Sequence, residues 1–276
     1  MKGKIIRAAI TWKIYLWILS RKKVFNMVNI LKAEILKEKR SANAKILLLT
    51  PIIFIVFNLL MNMLMTPNSD GHSYLLATAF NWFPLLILPI VISLLVTNIL
   101  AKEKQSQLNL QKSMGLDRKK IKLIKSFLVL IEVFVIVMVS ILIIYLIANF
   151  ILKENTSFVM LLKAGVVLFI GSLPLVGFSF FIMSLTKKNF IVLILNFILS
   201  IISPIPAVED LWKFYPWSYS LRMLAPIVGV HPNGTFLDIN SPLWDKSVIT
   251  LGIILSLGVY ILFMALSINR KDKENA

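Results

Sequence analysis

Six apolar stretches, each near the length of a membrane crossing, constrain this chain more than any other feature. They run approximately Ile46–Met65, Phe83–Leu100, Phe127–Leu152, Phe158–Leu185, Phe190–Val208 and Ser247–Ile268. An α-helix rising 1.5 Å per residue needs roughly 20 residues to cross about 30 Å of hydrocarbon. None of the stretches shows the short alternating pattern of an outer-membrane strand. Across 276 residues, 58% are hydrophobic and 16% charged, whereas soluble domains carry roughly a quarter of their residues as charges. That excludes a soluble enzyme. The expected fold is all-α, a polytopic membrane protein with six transmembrane helices.

Charge placement orients the chain. Of 30 Lys and Arg, 25 fall in residues 1–45, the 101–126 loop, the Thr186–Asn189 link and the tail after Ile268. The connections on the other side hold 4. Lys163 lies inside the fourth span near its outer end, where its stem can snorkel. The positive-inside rule then puts both termini in the cytoplasm. The net charge of +17 is thereby read as topology, and no nucleic-acid partner is expected. With no cysteine, there is no disulfide and no thiolate chemistry.

The expected domain layout begins with a basic extension over residues 1–26. It reads either as an interfacial amphipathic helix or as an overlong start ahead of Met27. An amphipathic cytoplasmic helix follows over 27–45, its apolar stripe formed by Met27, Val28, Leu31 and Ile35, and Ser41 is a cap for the next helix. The six-span domain covers 46–268, with a cytoplasmic loop at 101–126 and an outer segment at 209–246. A cytoplasmic tail occupies 269–276.

No catalytic residue is expected. The phosphate-cradling G-x-x-x-x-G-K-[ST] motif is missing, as are H-E-x-x-H and G-x-S-x-G. His72 and His231 stand in separate outer loops and read as ordinary loop residues, so no metal site is expected.

Residues 101–126 form the one sizeable inner connection, with Leu108, Leu110, Met114 and Leu116 as an apolar edge among charges. Gly115 is expected to end one helix and Asp117 to cap the next, which runs from Arg118 into the third span. An early Glu103, the Met114-Gly115-Leu116-Asp117-Arg118 stretch and a late Lys125 stand in the order seen in the inner loop of type-2 ATP-binding cassette (ABC) exporter permeases, which the chain resembles. In appearance it is most similar to permeases that protect lantibiotic producers, of the mutacin and epidermin type. That likeness rests on Leu31 through Ser41, a first span containing Pro51, and the outer Tyr215-Pro216-Trp217-Ser218-Tyr219. It covers Met27 to Arg270 and leaves out residues 1–26.

The resemblance implies that Glu103, Met114, Gly115, Leu116, Asp117, Arg118 and Lys125 couple the chain to a separate cytoplasmic ABC ATPase. That partner would hold the ATP and magnesium, and this chain would bind no cofactor. It further implies a second permease subunit, as homodimer or heterodimer, in the bacterial plasma membrane. The cargo would be an amphipathic peptide antibiotic, expelled to give immunity or resistance.

In the outer segment, Trp212, Tyr215, Trp217, Tyr219 and Arg222 are candidates for a substrate vestibule, and an interfacial aromatic belt is the competing reading. Ser218–Val228 has the spacing of a re-entrant helix broken at Pro226. Glu132 is the intramembrane acid, either functional or hydrogen-bonded between helices. Asn58 with Asn62, and Asn196 with Ser200, are expected to tie helices together. Gly252 and Ser256 offer a small-residue face for close packing at a dimer seam. Three rival functions stay open: an ABC permease for a bacitracin-like drug or other small amphiphile, an ATP-independent channel or transporter gated through Glu132, and a structural or sensory membrane protein.

Overall fold

The computed structural model describes residues 27–39, 41–65, 73–102, 106, 109, 111 and 113–270. The extension 1–26 and the last six residues of the tail lie outside the described residues, as do Asp70, His72, Glu103, Leu108 and Leu110. The described chain is all-α. A surface helix α1 (Met27–Glu38) precedes six helices long and apolar enough to cross a membrane. These are α2 (Ala42–Leu64), α3 (Tyr74–Ala101), α4 (Arg118–Ile151), α5 (Phe158–Thr186), α6 (Asn189–Val208) and α8 (Ser247–Asn269). Between α6 and α8, three short 3₁₀ turns and the helix α7 (Tyr219–Val228) fold into a cap over one end of the bundle. The connection from α3 to α4 lies at the opposite end, here called the loop end.

α5 is the centre, packing against α3, α4, α6, α7 and α8. In α3 and α5, 67% of the apolar stretch is buried, against 22% in α2 and α8. All four are apolar all round, so composition cannot separate inner from outer helices; a lipid-facing Leu and a core Leu look alike. Polar side chains mark the inner faces instead. Asn43, Ser93, Thr97, Ser179 and Asn196 are all buried and hydrogen-bonded, because a hydroxyl or amide facing hydrocarbon has no partner.

Several helix ends differ from the sequence reading for identifiable reasons. α3 starts at Tyr74, nine residues before Phe83. Its opening turns are enclosed by the cap, where Asn81 Nδ2 donates to Pro232 O at 2.7 Å, so hydropathy undervalues them. A π-helical segment, Phe83–Ile87, accommodates Pro84 within this helix, with Leu88 N–H reaching back to Phe83 O. α2 begins at Ala42, inside the segment assigned to the interfacial helix, because Ser41 caps it: its Oγ accepts from Asn43 N at 3.1 Å.

α1 rests on the bundle by one edge. Ile30 and Glu34 are buried, Leu31 is half-buried, and Val28, Ile35 and Leu36 are exposed. Of the apolar stripe, Val28 and Ile35 point away from the bundle and Leu31 packs against it, while Glu34 on the buried edge pairs with Lys37. An apolar stripe on a helix beside a membrane bundle can meet either lipid or protein, so it does not by itself say which.

Gly252 and Ser256 also correct an expectation. A Cβ on Gly252 would meet Met223 Sδ of α7 at 2.4 Å, and Ser256 is fully buried. The small-residue face is occupied within the chain by the cap and does not lie on a dimer seam. α7 likewise runs through Pro226 and ends at Gly229, whose φ of +72° closes it. Proline removes only one hydrogen bond so near the end of a helix, and the surrounding packing holds the last turn.

Candidate functional site

The loop end is built by local chain chemistry. The described residues Gln111 and Ser113 are helical. Leu116 N–H bonds back to Gln111 O at 3.0 Å while Gly115 adopts φ +67°, the six-to-one closure of a glycine-terminated helix. A side chain there would be strained, since left-handed backbone crowds Cβ. Two residues later Asp117 Oδ1 accepts from Lys119 N at 2.9 Å and starts α4 at Arg118. The result is a sharp elbow. Met114, Gly115 and Asp117 are exposed, and Leu116 tucks against the core. Arg118 is half-buried; Lys125 is buried on α4, two turns inside the elbow, at 2% exposure. Met114 through Arg118 are therefore together at one surface, and Lys125 sits beneath it.

Behind the elbow, side chains fasten four helices together. Lys102, just past the end of α3, donates to Glu38 of α1 at 2.7 Å. Ser41 Oγ donates to the other oxygen of Glu38 at 2.6 Å. Asn43 Nδ2 donates both to Glu132 Oε2 at 3.0 Å and to Leu95 O at 3.2 Å, joining α2, α3 and α4. Glu132 is thus hydrogen-bonded between helices. On the far side of α4, Lys122 Nζ donates to Ser267 O at 2.8 Å and Ser126 shares a hydrogen bond with Tyr260 at 2.8 Å, which ties α4 to α8. Sequence reading singled out Glu132 but not Glu38, Lys102 or Asn43. A buried Asn at the second position of a helix is a usable signal only when its partner 89 residues away is known.

At the cap end, the aromatic candidates are mostly anchors. Trp212 and Tyr219 are buried at 2% and 1% exposure and meet edge to face, centroids 6.0 Å apart. Tyr219 OH donates to Lys213 O at 2.8 Å and Tyr215 OH to Leu199 O of α6 at 2.7 Å. Burial pushes both phenols above the ordinary tyrosine value. Trp217 Nε1 donates to Asn196 Oδ1 at 3.2 Å. Asn196 in turn donates to Ser93 Oγ at 2.9 Å and Ser179 Oγ at 2.7 Å, so one amide joins α3, α5, α6 and the cap. Ser200, expected beside it, is buried, and its hydroxyl has no hydrogen-bond partner among the described residues. Asn58 bonds within its own helix, to Phe54 O at 2.7 Å, rather than across helices. Arg222 is 8% exposed and lines a cleft on the flank of the cap. The five candidates do not converge on one ring-lined vestibule: Trp212 and Arg222 line a common cleft, Tyr219 is buried, and Tyr215 and Trp217 are half-buried outside that cleft.

The bundle, the capped elbow and the absence of a phosphate-cradling motif in the sequence frame the comparison with known proteins. A family model described as "ABC-2 family transporter protein" matches residues 30–203. The chain belongs to the ABC-2 transporter family. No curated protein and no solved structure matches it. As an ABC-2 permease it is a multi-pass membrane component of a transporter rather than an ATPase, and membership implies a partner ABC ATPase. The matched stretch takes in α2 to α5, the elbow and most of α6, and stops before the cap and α8.

Proposed function

We propose that this permease works in an exporter that removes lantibiotic-type antimicrobial peptides from the bacterial plasma membrane, giving immunity or resistance. Its loop end and both termini face the cytoplasm in this reading, with the cap outside. The observation that carries the coupling part is the elbow at Met114–Arg118. An exposed, glycine-closed and aspartate-capped turn runs without a break into a helix of 34 residues. Force applied there by a closing ATPase dimer displaces a whole span, since an α-helix is stiff along its axis. Lys122 and Ser126 carry that displacement to α8, and α8 meets the cap where Gly252 takes Met223. A transporter needs two states whose balance the nucleotide shifts by differential contacts; the elbow is where those contacts form.

ATP and magnesium belong to the partner. A second permease chain, identical or related, completes the transporter, and Glu103 helps seat the loop. The peptide specificity rests on the resemblance at Leu31–Ser41, Pro51 and Tyr215–Tyr219. The same architecture serves a bacitracin-like drug equally well, so cargo is assigned by transport assays with both classes.

Reconstitution of the chain with its ATPase tests the reading. Arg118→Glu is expected to lower stimulation of ATP hydrolysis at least several-fold while membrane insertion is unchanged. Normal stimulation removes the elbow from the mechanism. Glu132→Gln keeps both a hydrogen-bond acceptor and the helix packing, so transport persists. Abolished transport with intact hydrolysis instead supports the carboxylate-gated alternative.

A further inference from the structure

A cleft of about 490 Å³ opens between the cap and the first two turns of α8. Its cap side carries Asp210, Lys213, Arg222 and Asp245, with Trp212 behind them. Toward the middle of the bundle it continues onto Leu251 and Ile254, which are exposed on the outward face of α8. A charged mouth thus passes directly into an apolar wall that faces hydrocarbon.

Arg222 is the group that demands a ligand. It is 8% exposed, and of the five N–H donors of a guanidinium it uses one among the described residues, from Nη1 to Leu243 O at 3.4 Å. Neither nearby carboxylate pairs with it. Asp210 takes Lys213 at 2.9 Å, and Asp245 accepts from Ser247 N at 2.8 Å and Ser247 Oγ at 2.7 Å. Loss of hydration lowers the guanidinium pKa, with Asp245 and Asp210 opposing that from a distance. A buried, sparsely bonded cation is costly, and a phosphate group matches its fork of donors in bidentate fashion.

The rest of the mouth decides the ligand class. Two acids and two bases leave the cleft neutral, so a purely anionic head meets both carboxylates and a purely cationic peptide meets Arg222. We propose that the cleft binds one zwitterionic phospholipid from the leaflet on the cap side. Its phosphate sits on Arg222, its ammonium beside the exposed Asp245, and an acyl chain lies along Leu251 and Ile254. This assignment does not depend on which cargo the transporter moves. Free phosphate shares the head chemistry but gains nothing from the apolar wall.

Native mass spectrometry of the full chain in detergent tests this, with phosphatidylethanolamine, phosphatidylglycerol, diacylglycerol and inorganic phosphate as separate probes. The wild type is expected to retain one phosphatidylethanolamine roughly tenfold more tightly than phosphatidylglycerol or diacylglycerol, and inorganic phosphate in the same concentration range leaves it bound. Arg222→Gln is expected to lose about tenfold, the scale of a charge-assisted hydrogen bond. Thr250→Trp puts an indole into the cleft from an exposed position and loses as much, and it decides the matter alone if Arg222→Gln does not fold. Equal retention of phosphatidylglycerol and phosphatidylethanolamine, displacement by inorganic phosphate, or wild-type binding by Thr250→Trp would each overturn the assignment.

Discussion

The two ends of the bundle are held together by different physics. At the loop end the helices meet through ion pairs and charge-assisted bonds: Lys102 on Glu38, Ser41 on Glu38, Asn43 on Glu132, Lys122 on Ser267 O. At the cap end they meet through close backbone approach and buried rings. A Cβ on Gly171 of α5 would stand 2.8 Å from Ser220 Cα and 2.9 Å from Ser220 N, and Trp212 and Tyr219 seal the seam. Long charged side chains exchange partners at small cost, whereas interlocked surfaces have one good arrangement. The loop end is thus suited to a joint that moves and the cap to a piece that keeps its shape while carried.

The sharpest break of that contrast is steric. Gly171→Val is expected to prevent α7 from seating, with a loss of about 3 kcal/mol or more, because backbone atoms of Ser220 cannot move aside as a side-chain tip can. A thermal unfolding scan in detergent reads it, and an unchanged midpoint would mean the cap is not close-packed. Asn196→Leu comes next, at about 2 to 3 kcal/mol, since Ser93, Ser179 and Trp217 all lose their shared partner. Circular dichroism should still show helix while the cap tryptophans shift in fluorescence.

The loop end should respond to charge rather than volume. Lys102→Ala removes a partly exposed pair and costs no more than about 1 kcal/mol, yet it should alter ATPase stimulation more than any cap substitution of equal stability cost. Raised salt should mimic it at this end only. Ser41→Ala, which deletes a cap and one bond to Glu38, is expected to cost about 1 kcal/mol. The smallest effect belongs to Phe214→Leu at the cap surface, where 84% exposure leaves little to lose; a change within about 0.5 kcal/mol is expected.

Features set by a few adjacent residues were legible in the sequence. Six spans follow from length and hydropathy, the elbow from Gly115 and Asp117, and the capping role of Ser41 from its hydroxyl, because each requires only local chain chemistry. Facing was not legible. Nothing local says that α1 buries Ile30 and Glu34 rather than Val28 and Ile35, that Gly252 receives Met223, or that Trp212 and Tyr219 turn inward. In a chain with two apolar surroundings, hydrophobicity ceases to distinguish inside from outside, and only the partners reached by Asn43, Asn196 and Arg222 across the fold decide it.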